Sequence, residues 1–106
     1  MRDEETGEFV MIGKTYKGLT DLEFQNMTEE LQKLEVSTIR NIVYVEPRIV
    51  VEVLSSEIQE SPTYDSGLAL RFARIKRIRD DKGSQDAMTL QELKEVFEKQ
   101  FRFKAR

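Results

Sequence analysis

The chain has 106 residues, enough for one domain with a single small hydrophobic core. It contains no cysteine and no histidine, which excludes disulfides, thiolate metal sites and histidine acid–base chemistry, and we expect no metal site. No apolar run approaches the roughly 18 residues that a membrane span needs. Residues 1–5 are mostly acidic, unlike a signal peptide. We therefore expect a single intracellular domain over residues 1–106, with no membrane contact.

Charge is unevenly distributed along the chain, although the net charge is only −3. Residues 1–60 hold 6 basic and 13 acidic side chains, whereas residues 61–106 hold 11 basic and 7 acidic ones. The distribution of charge matters more to a polyanion than the total does. A nucleic-acid partner for the second half is therefore compatible with the acidic average.

The first half predicts a strand followed by a helix. Residues 1–8 are expected to be a flexible end, and residues 9–15 (FVMIGKT) a strand. Thr20 and Glu23 fit a capping box, in which each side chain satisfies a free backbone N–H at a helix start. Apolar residues then recur at helical spacing, which predicts a face packed in the core. These residues are Phe24, Met27, Leu31 and Leu34.

The middle of the chain predicts two strands and a loop. Residues 42–45 fit a short strand that Pro47 stops. Residues 49–55 (IVVEVLS) are β-branched and apolar on both faces except at Glu52, which predicts a strand buried in the sheet. Glu52 either faces the surface or pairs with an arginine, and the sequence leaves both open. Residues 55–67 are polar and contain Pro62 and Gly67, so we predict mostly loop.

A last helix is predicted near the C-terminus. Thr89 and Glu92 form a second capping box. An apolar face follows at helical spacing, with Phe97 and Phe101 expected in the core. Its members are Leu90, Leu93, Val96, Phe97 and Phe101. Residues 102–106 are basic and are predicted to be a flexible end.

The most informative segment is residues 68–82 (LALRFARIKRIRDDK), which has six basic and two acidic side chains. Leu68, Leu70 and Phe72 alternate as in a strand, but Ile75 breaks the alternation, so a strand requires a bulge near Ala73. Leu68, Phe72 and Ile75 also share one helical face, so a basic amphipathic helix remains an alternative. We favour the strand.

The chemistry of this segment suits a phosphate-bearing partner. Arginines present rigid donor forks that match phosphate oxygens, and an aromatic ring beside them can stack on a base or pack on a sugar. The alternative is a solvated edge strand whose charges prevent aggregation. The preponderance of arginine over lysine in residues 68–82 favours phosphate binding.

Residues 70–82 (LRFARIKRIRDDK) resemble motif VI, the last nucleotidyltransferase motif of ATP-dependent DNA ligases of the archaeal and eukaryotic type. The R-x-D-K core of that motif is matched by Arg79, Asp81 and Lys82. Shorter matches agree in the same order, so the resemblance spans roughly residues 8–100. They are GK at 13–14, GLTD at 18–21, P with VVEV at 47–53, EIQ with SPTY at 57–64 and DA at 86–87.

The resemblance implies a mainly β (α+β) fold, an OB-fold-like small barrel lacking its first strand. A helix would lie between strands, and another helix would end the chain. Ala73 stands where the family usually has proline. No lysine is followed by the x-Asp-Gly of the family's nucleophile motif, so no catalytic residue and no ligation are expected from this chain alone. ATP and Mg²⁺ are implied only with a nucleotidyltransferase domain, in cis or in trans.

Residue by residue, the resemblance implies two sets of contacts. Arg79 and Lys82 would face the β- and γ-phosphates of ATP, with Asp81 orienting them. Arg71 and Phe72 would lie near the nick in double-stranded DNA, with Phe72 packed on a sugar in the minor groove. The other candidates for DNA contact are basic side chains: Arg74, Lys76, Arg77, Lys14 and Lys17.

Two other functions remain open at this point. A stand-alone nucleic-acid-binding OB protein would stack single-stranded bases on Phe72, Tyr64 and Tyr16. An interaction subunit would use the sheet edge left open by the absent first strand, accepting a strand from a partner or a second copy.

Overall fold

The computed structural model describes the backbone of residues 1–104 and the side chains of residues 1–100. It has two helices and six strands. In chain order they are α1 (Asp21–Lys33), β1 (Glu35–Ile39), β2 (Ile42–Val45), β3 (Val51–Leu54), β4 (Glu57–Glu60), β5 (Leu68–Arg71), β6 (Arg74–Ile78) and α2 (Leu90–Lys104). The mainly β, α+β class predicted from the sequence is confirmed.

The strands of the described residues form three antiparallel pairs: β1 with β2, β3 with β6, and β4 with β5. No further ladder joins the pairs, so they do not close into a barrel within residues 1–104. The OB-like barrel therefore remains an expectation from the resemblance. The β3–β6 and β4–β5 pairs are linked instead by the chain itself, because β5 continues almost directly into β6.

Both predicted capping boxes are confirmed. At the start of α1, the Thr20 hydroxyl accepts from the Glu23 N–H at 3.2 Å, and the Glu23 carboxylate accepts from the Thr20 N–H at 3.1 Å. At α2 the same exchange joins Thr89 and Glu92 at 3.2 and 3.3 Å. These bonds satisfy N–H groups that have no partner within the helix, which explains why both helices begin where predicted.

The apolar face of α1 does not enter the core, which corrects the prediction for Phe24. No residue of α1 is buried, and Phe24 is 51% exposed, whereas Met27, Leu31 and Leu34 are half-buried. An amphipathic pattern indicates only that a helix has an apolar face. No layer formed by the described residues covers the apolar face of α1.

A hairpin of β1 and β2 follows α1. The sequence predicted β2 at residues 42–45 but missed β1. Arg40 makes the tight turn with a φ of 51°, and Ile39 pairs with Ile42 beside it. The apolar side chains of this hairpin are largely exposed, from 48% for Val43 to 65% for Val36.

The strand predicted at 49–55 exists as β3, but it is shorter and not buried on both faces. Val51 and Val53 are half-buried and Leu54 is 49% exposed. Among the described strands β3 pairs only with β6, so its other edge has no neighbouring strand.

The loop predicted for residues 55–67 contains β4, which corrects that assignment. Ile58 pairs with Leu70, and the Gln100 side chain donates to the Ile58 carbonyl at 2.7 Å and accepts from its N–H at 2.9 Å. One apolar residue in four is a weak strand signal, so these tertiary contacts decide the structure.

The segment 9–15 is not a strand, contrary to prediction; only Phe9 forms an isolated bridge, with Arg2. It runs beside β5, where the Leu70 N–H donates to the Ile12 carbonyl at 2.7 Å. The Ser66 hydroxyl donates to the Met11 carbonyl at 2.7 Å. One backbone bond and one side-chain bond thus hold the segment beside β5 without a regular ladder.

Within the basic segment 68–82, residues 68–71 and 74–78 form two strands and residues 79–82 follow them outside the sheet, so the helical alternative is wrong. The chain breaks between β5 and β6 at Phe72, whose φ is 53°, close to the irregularity predicted near Ala73. A bulge also occurs at Lys76, because Glu52 pairs with Arg77 while the next residue, Val53, pairs with Ile75.

The core lies between the β4–β5 pair and α2. Its buried members are Ile58, Leu68, Leu90 and Leu93, which are 2–7% exposed. Phe97 packs against this cluster, as predicted, whereas the side chain of Phe101 lies outside the described residues.

The ends of the chain were predicted to be flexible and to belong to one domain of residues 1–106, and both remain predictions. In the structure, Arg2 bridges to both Phe9 and Thr89. The backbone of residues 102–104 continues α2, and residues 105–106 lie outside the described residues.

Candidate nucleic-acid and phosphate interface

The break between β5 and β6 presents Phe72 to solvent. A φ of 53° is uncommon for a residue with a side chain, and here it lets the chain leave one strand pair for the other. The Phe72 ring is 75% exposed, so it is not a core residue. The Arg71 guanidinium lies 5.1 Å from the ring centroid and also donates to Glu57 at 3.1 Å. Arg71 therefore packs on one side of the Phe72 ring, and Glu57 partly neutralises its charge.

The turn at residues 14–18 is held against the start of β6. The Thr15 hydroxyl donates to the Ala73 carbonyl at 2.7 Å, and the Ile75 N–H donates to the Lys17 carbonyl at 2.9 Å. Gly18 has a φ of 104°, and a Cβ there would lie 2.0 Å from the Ile75 carbonyl oxygen. Only glycine permits this close approach of backbones.

The turn and the strand break enclose a groove of about 490 Å³, which we call the basic groove. Its lining residues are Lys14, Thr15, Tyr16, Lys17, Gly18, Leu70, Phe72, Ala73 and Arg74. Three are cations and none is acidic. Lys14, Lys17 and Arg74 form no ion pair with any described residue. The groove is therefore a concentration of unbalanced positive charge beside exposed aromatic rings.

Lys76 and Arg77, also predicted to contact DNA, do not line the basic groove. Arg77 donates its Nε to Glu52, and Lys76 Nζ lies 4.0 Å from the other Glu52 oxygen. The hydrogen bond from Arg77 is the main cause that lowers the pKa of Glu52 below its ordinary value. Of the two alternatives for Glu52, the pairing with an arginine is the one observed.

The three residues of the R-x-D-K match lie together at the end of β6. Arg79 donates to Asp81 through Nε at 2.9 Å and through Nη2 at 2.8 Å. This fork is the main cause that lowers the pKa of Asp81 and raises that of Arg79. The Arg79 N–H donates to the Val50 carbonyl at 2.8 Å, which ties the motif to the segment before β3. Lys82 forms no ion pair with a described residue.

Arg79 and Lys82 border a second cavity, of about 570 Å³, rather than the basic groove. Its walls are mainly apolar and come from residues 47–53, the approach to α2 and α2 itself. Arg2 also lines it, and the Arg2 Nε is buried without a hydrogen-bond partner among the described residues. Members of the two predicted sets therefore line two different cavities: the basic groove is lined by Lys14, Lys17, Phe72 and Arg74, and the second cavity by Arg79 and Lys82.

Tyr16 lies in the basic groove, although the motif VI resemblance gives it no role. The sequence offers it only for base stacking in a single-strand-binding protein, whereas in the structure it lines the same groove as Phe72 and is 78% exposed. The pattern K-T-Y-K at 14–17, an aromatic between two lysines, was the available signal. Tyr64, considered with it, is half-buried and does not line the groove.

No group of three or more acidic, histidine or cysteine side chains in the described part of the chain is arranged to hold a metal ion. Likewise, neither described helix is long and apolar enough to cross a membrane.

Comparisons with known proteins agree with the resemblance to ligases. The family model described as "ATP dependent DNA ligase C terminal region" matches residues 1–82. The chain is 54% identical over 101 residues to DNA ligase 1 of Korarchaeum cryptofilum. The aligned region covers 95% of this chain and 19% of that protein. It is 42% identical over 104 residues to the DNA ligase of Thermococcus fumicolans, covering 98% of this chain and 19% of that protein.

A bacterial relative is similar over nearly the same length. The chain is 48% identical over 97 residues to a probable DNA ligase of Anaeromyxobacter sp. strain K, covering 91% of this chain and 19% of that protein. The chain thus spans about a fifth of the length of these relatives. With most of its length matched by the family model, the chain belongs to the family of ATP-dependent DNA ligase C-terminal regions.

Proposed function

We propose that this chain is the DNA- and nucleotide-contacting module of an ATP-dependent DNA ligase. It binds the backbone and minor groove of nicked double-stranded DNA through the basic groove, and it contacts the β- and γ-phosphates of ATP through Arg79 and Lys82. The observation that carries the proposal is the basic groove, where three cations that form no ion pair with a described residue lie beside the exposed Phe72 ring.

The charges of the basic groove support phosphate binding because they are available. A nearby carboxylate partly cancels the charge that a cation offers to a phosphate, whereas Lys14, Lys17 and Arg74 form no ion pair with a described residue. Three neutralised phosphates predict that affinity falls about 40-fold between about 50 and 200 mM salt. Phe72, which lines the groove, supplies a ring suited to a deoxyribose, and Arg71 beside that ring supplies a cation that is only partly balanced.

The second contact set supports a role at the polyphosphate. Asp81 holds the Arg79 guanidinium through two hydrogen bonds, so it orients that cation rather than transferring protons. Lys82, without an ion pair among the described residues, is free to meet a phosphate. Together they would neutralise charge that develops on the leaving pyrophosphate during adenylation. Lys76 and Arg77 remain weaker candidates for DNA, because both face Glu52.

The chemistry itself requires a nucleotidyltransferase domain, in cis or in trans, because no lysine of the 106 residues is followed by x-Asp-Gly. The described residues also offer no ligand cluster for Mg²⁺, so we assign no metal ligand and no metal-dependent step to this chain. We therefore expect DNA binding without ligation, in an intracellular setting.

Fluorescence anisotropy of a labelled nicked duplex tests the proposal. The 106-residue chain is expected to bind at about 50 mM salt and to lose affinity steeply at about 200 mM. Arg74→Ala is the test variant. Arg48→Ala is the matched control, since it removes the same charge from an exposed arginine outside the groove. Absence of binding at the lower salt, or an equal loss in both variants, would overturn the assignment of the groove.

A further inference from the structure

We propose that Tyr16 is a second aromatic contact to the nicked duplex, acting beside Phe72 in the basic groove. Its ring would pack on a deoxyribose and its hydroxyl would donate to a phosphate oxygen. The inference rests on the proposed DNA-binding function and extends it to a residue that the motif VI resemblance does not include.

The exposure of Tyr16 is unusual for a tyrosine. The ring is 78% exposed, slightly more than that of Phe72 at 75%. Its hydroxyl forms no hydrogen bond with a described residue. Tyrosine normally buries its ring and satisfies its hydroxyl, and it is favoured at binding surfaces because it offers an apolar face and a polar tip. Both ends of Tyr16 are therefore available to a ligand.

The backbone on either side of Tyr16 is held in place. The Thr15 hydroxyl donates to the Ala73 carbonyl at 2.7 Å and accepts from the Lys17 N–H at 3.1 Å. The Lys17 carbonyl accepts from Ile75 at 2.9 Å, and Gly18 lies against the Ile75 backbone. A residue presented by a fixed turn loses less conformational entropy on binding than one in a free loop.

The charge around Tyr16 selects the class of partner. Lys14, Lys17 and Arg74 share its groove, and no acidic residue lines it. An exposed ring among cations favours a ligand that combines phosphates with apolar sugar or base surface. Tyr44 provides the contrast, because it is 49% exposed on the apolar β1–β2 hairpin and lines neither cavity.

Duplex DNA fits this site better than a single strand. Sequence-independent binding of a single strand uses several rings that stack successive bases along a track. The basic groove offers two rings, which suits contacts to sugars reached from the outside of a duplex. Tyr64, the third ring such a track would need, lies elsewhere and is half-buried.

The absence of tryptophan from the chain makes a single-site reporter possible. Tyr16→Trp is titrated with an unlabelled nicked duplex while the tryptophan emission is followed. We expect a change in emission that saturates with DNA and reverses with added salt. Tyr44→Trp, the matched control, is expected to stay unchanged. In parallel, Tyr16→Ala should weaken anisotropy-measured binding about 5- to 10-fold, whereas Tyr16→Phe, which keeps the ring and loses only the hydroxyl bond to a phosphate, should weaken it less.

The outcomes separate this inference from the function on which it rests. The labelled duplex can bind the chain with an affinity that Arg74→Ala lowers, while DNA leaves the emission of Tyr16→Trp unchanged and Tyr16→Ala binds with wild-type affinity. In that case only the role of Tyr16 is overturned. If no variant and no wild-type chain binds the duplex, the DNA-binding function fails first. A response to single-stranded DNA alone would overturn the assignment to duplex. Thermal melts of each variant confirm that the exposed substitution leaves the fold intact.

Discussion

Arg77 donates to Glu52 directly across the β3–β6 pair, where the two residues are register partners. The bulge at Lys76 lets the next cation approach the same carboxylate. One acidic residue in an otherwise apolar strand therefore partly neutralises two of the six cations in residues 68–82. The charge left for a phosphate ligand is consequently concentrated at the basic groove and at Lys82.

Glu52→Gln is expected to strengthen binding of the nicked duplex by about 3-fold. The change removes a negative charge and releases Arg77 and Lys76 toward phosphate, so the salt dependence should also steepen. Anisotropy titrations at two salt concentrations measure both effects. Glu46→Gln is the matched control, because Glu46 pairs with Arg48 and neither residue lines either cavity. Weaker binding by Glu52→Gln would indicate that the ion pair orders Arg77 for a DNA contact.

Arg74→Ala and Arg77→Ala should differ, although each removes one positive charge from the same strand. Arg74 lines the basic groove without an ion pair among the described residues, whereas Arg77 is bonded to Glu52. We expect Arg74→Ala to weaken duplex binding about 5- to 10-fold and to reduce the salt slope by about 0.9. Arg77→Ala should change affinity less than about 2-fold. Equal losses would show that binding follows total charge rather than this groove.

Gly18→Ala is expected to destabilise the turn and to weaken DNA binding. The added Cβ would lie 2.0 Å from the Ile75 carbonyl oxygen, on a φ of 104°. Gly7→Ala is the control, since Gly7 also has a positive φ, of 75°, but nothing within 4 Å of the added carbon.

Urea denaturation separates backbone strain from the clash in these two variants. Left-handed strain alone costs about 1–2 kcal/mol, so we expect that loss of unfolding free energy for Gly7→Ala and at least about 1 kcal/mol more for Gly18→Ala. Similar stabilities for the two variants would contradict the close packing of the turn on β6.

Acid should destabilise the chain through Asp81 and Glu52. The hydrogen bonds from Arg79 and Arg77 hold the pKa values of these carboxyls below their ordinary values of 3.8 and 4.5. A lowered folded-state pKa stabilises the fold above the ordinary value, and this stability is lost as pH falls toward the folded-state pKa. Wild-type melting temperature should therefore decline below about pH 4.5.

Asp81→Asn tests the share of Asp81 in that decline. The variant lacks the titrating group, so its melting temperature should fall less between about pH 5 and 3 than that of the wild type. Asp65→Asn serves as the control, because Asp65 is exposed and forms no ion pair with a described residue. Identical pH profiles for wild type and Asp81→Asn would show that the Arg79 fork does not contribute to stability.

The sequence by itself determined the family, the helix starts and the break in the basic strand. Motif VI is readable because its chemistry depends on residue types at fixed spacing, such as Arg79, Asp81 and Lys82. The capping boxes at Thr20 and Thr89 are local, since a helix start is satisfied by side chains three residues apart. Ile75 breaks the strand alternation of Leu68, Leu70 and Phe72, and this alone indicated an irregularity near Ala73.

Only the tertiary structure decided what each of these residues contacts. The strand β4 depends on Leu70 and on Gln100, 42 residues from Ile58, and no local pattern reports such partners. Phe24 was predicted in the core but is exposed, because the apolar face of a helix does not indicate whether another layer packs against it. Glu52 is an ion-pair partner, and Tyr16 a neighbour of Phe72, because folding brings together segments about 25 and 56 residues apart. Long-range packing sets such contacts, and spacing along the chain does not encode them.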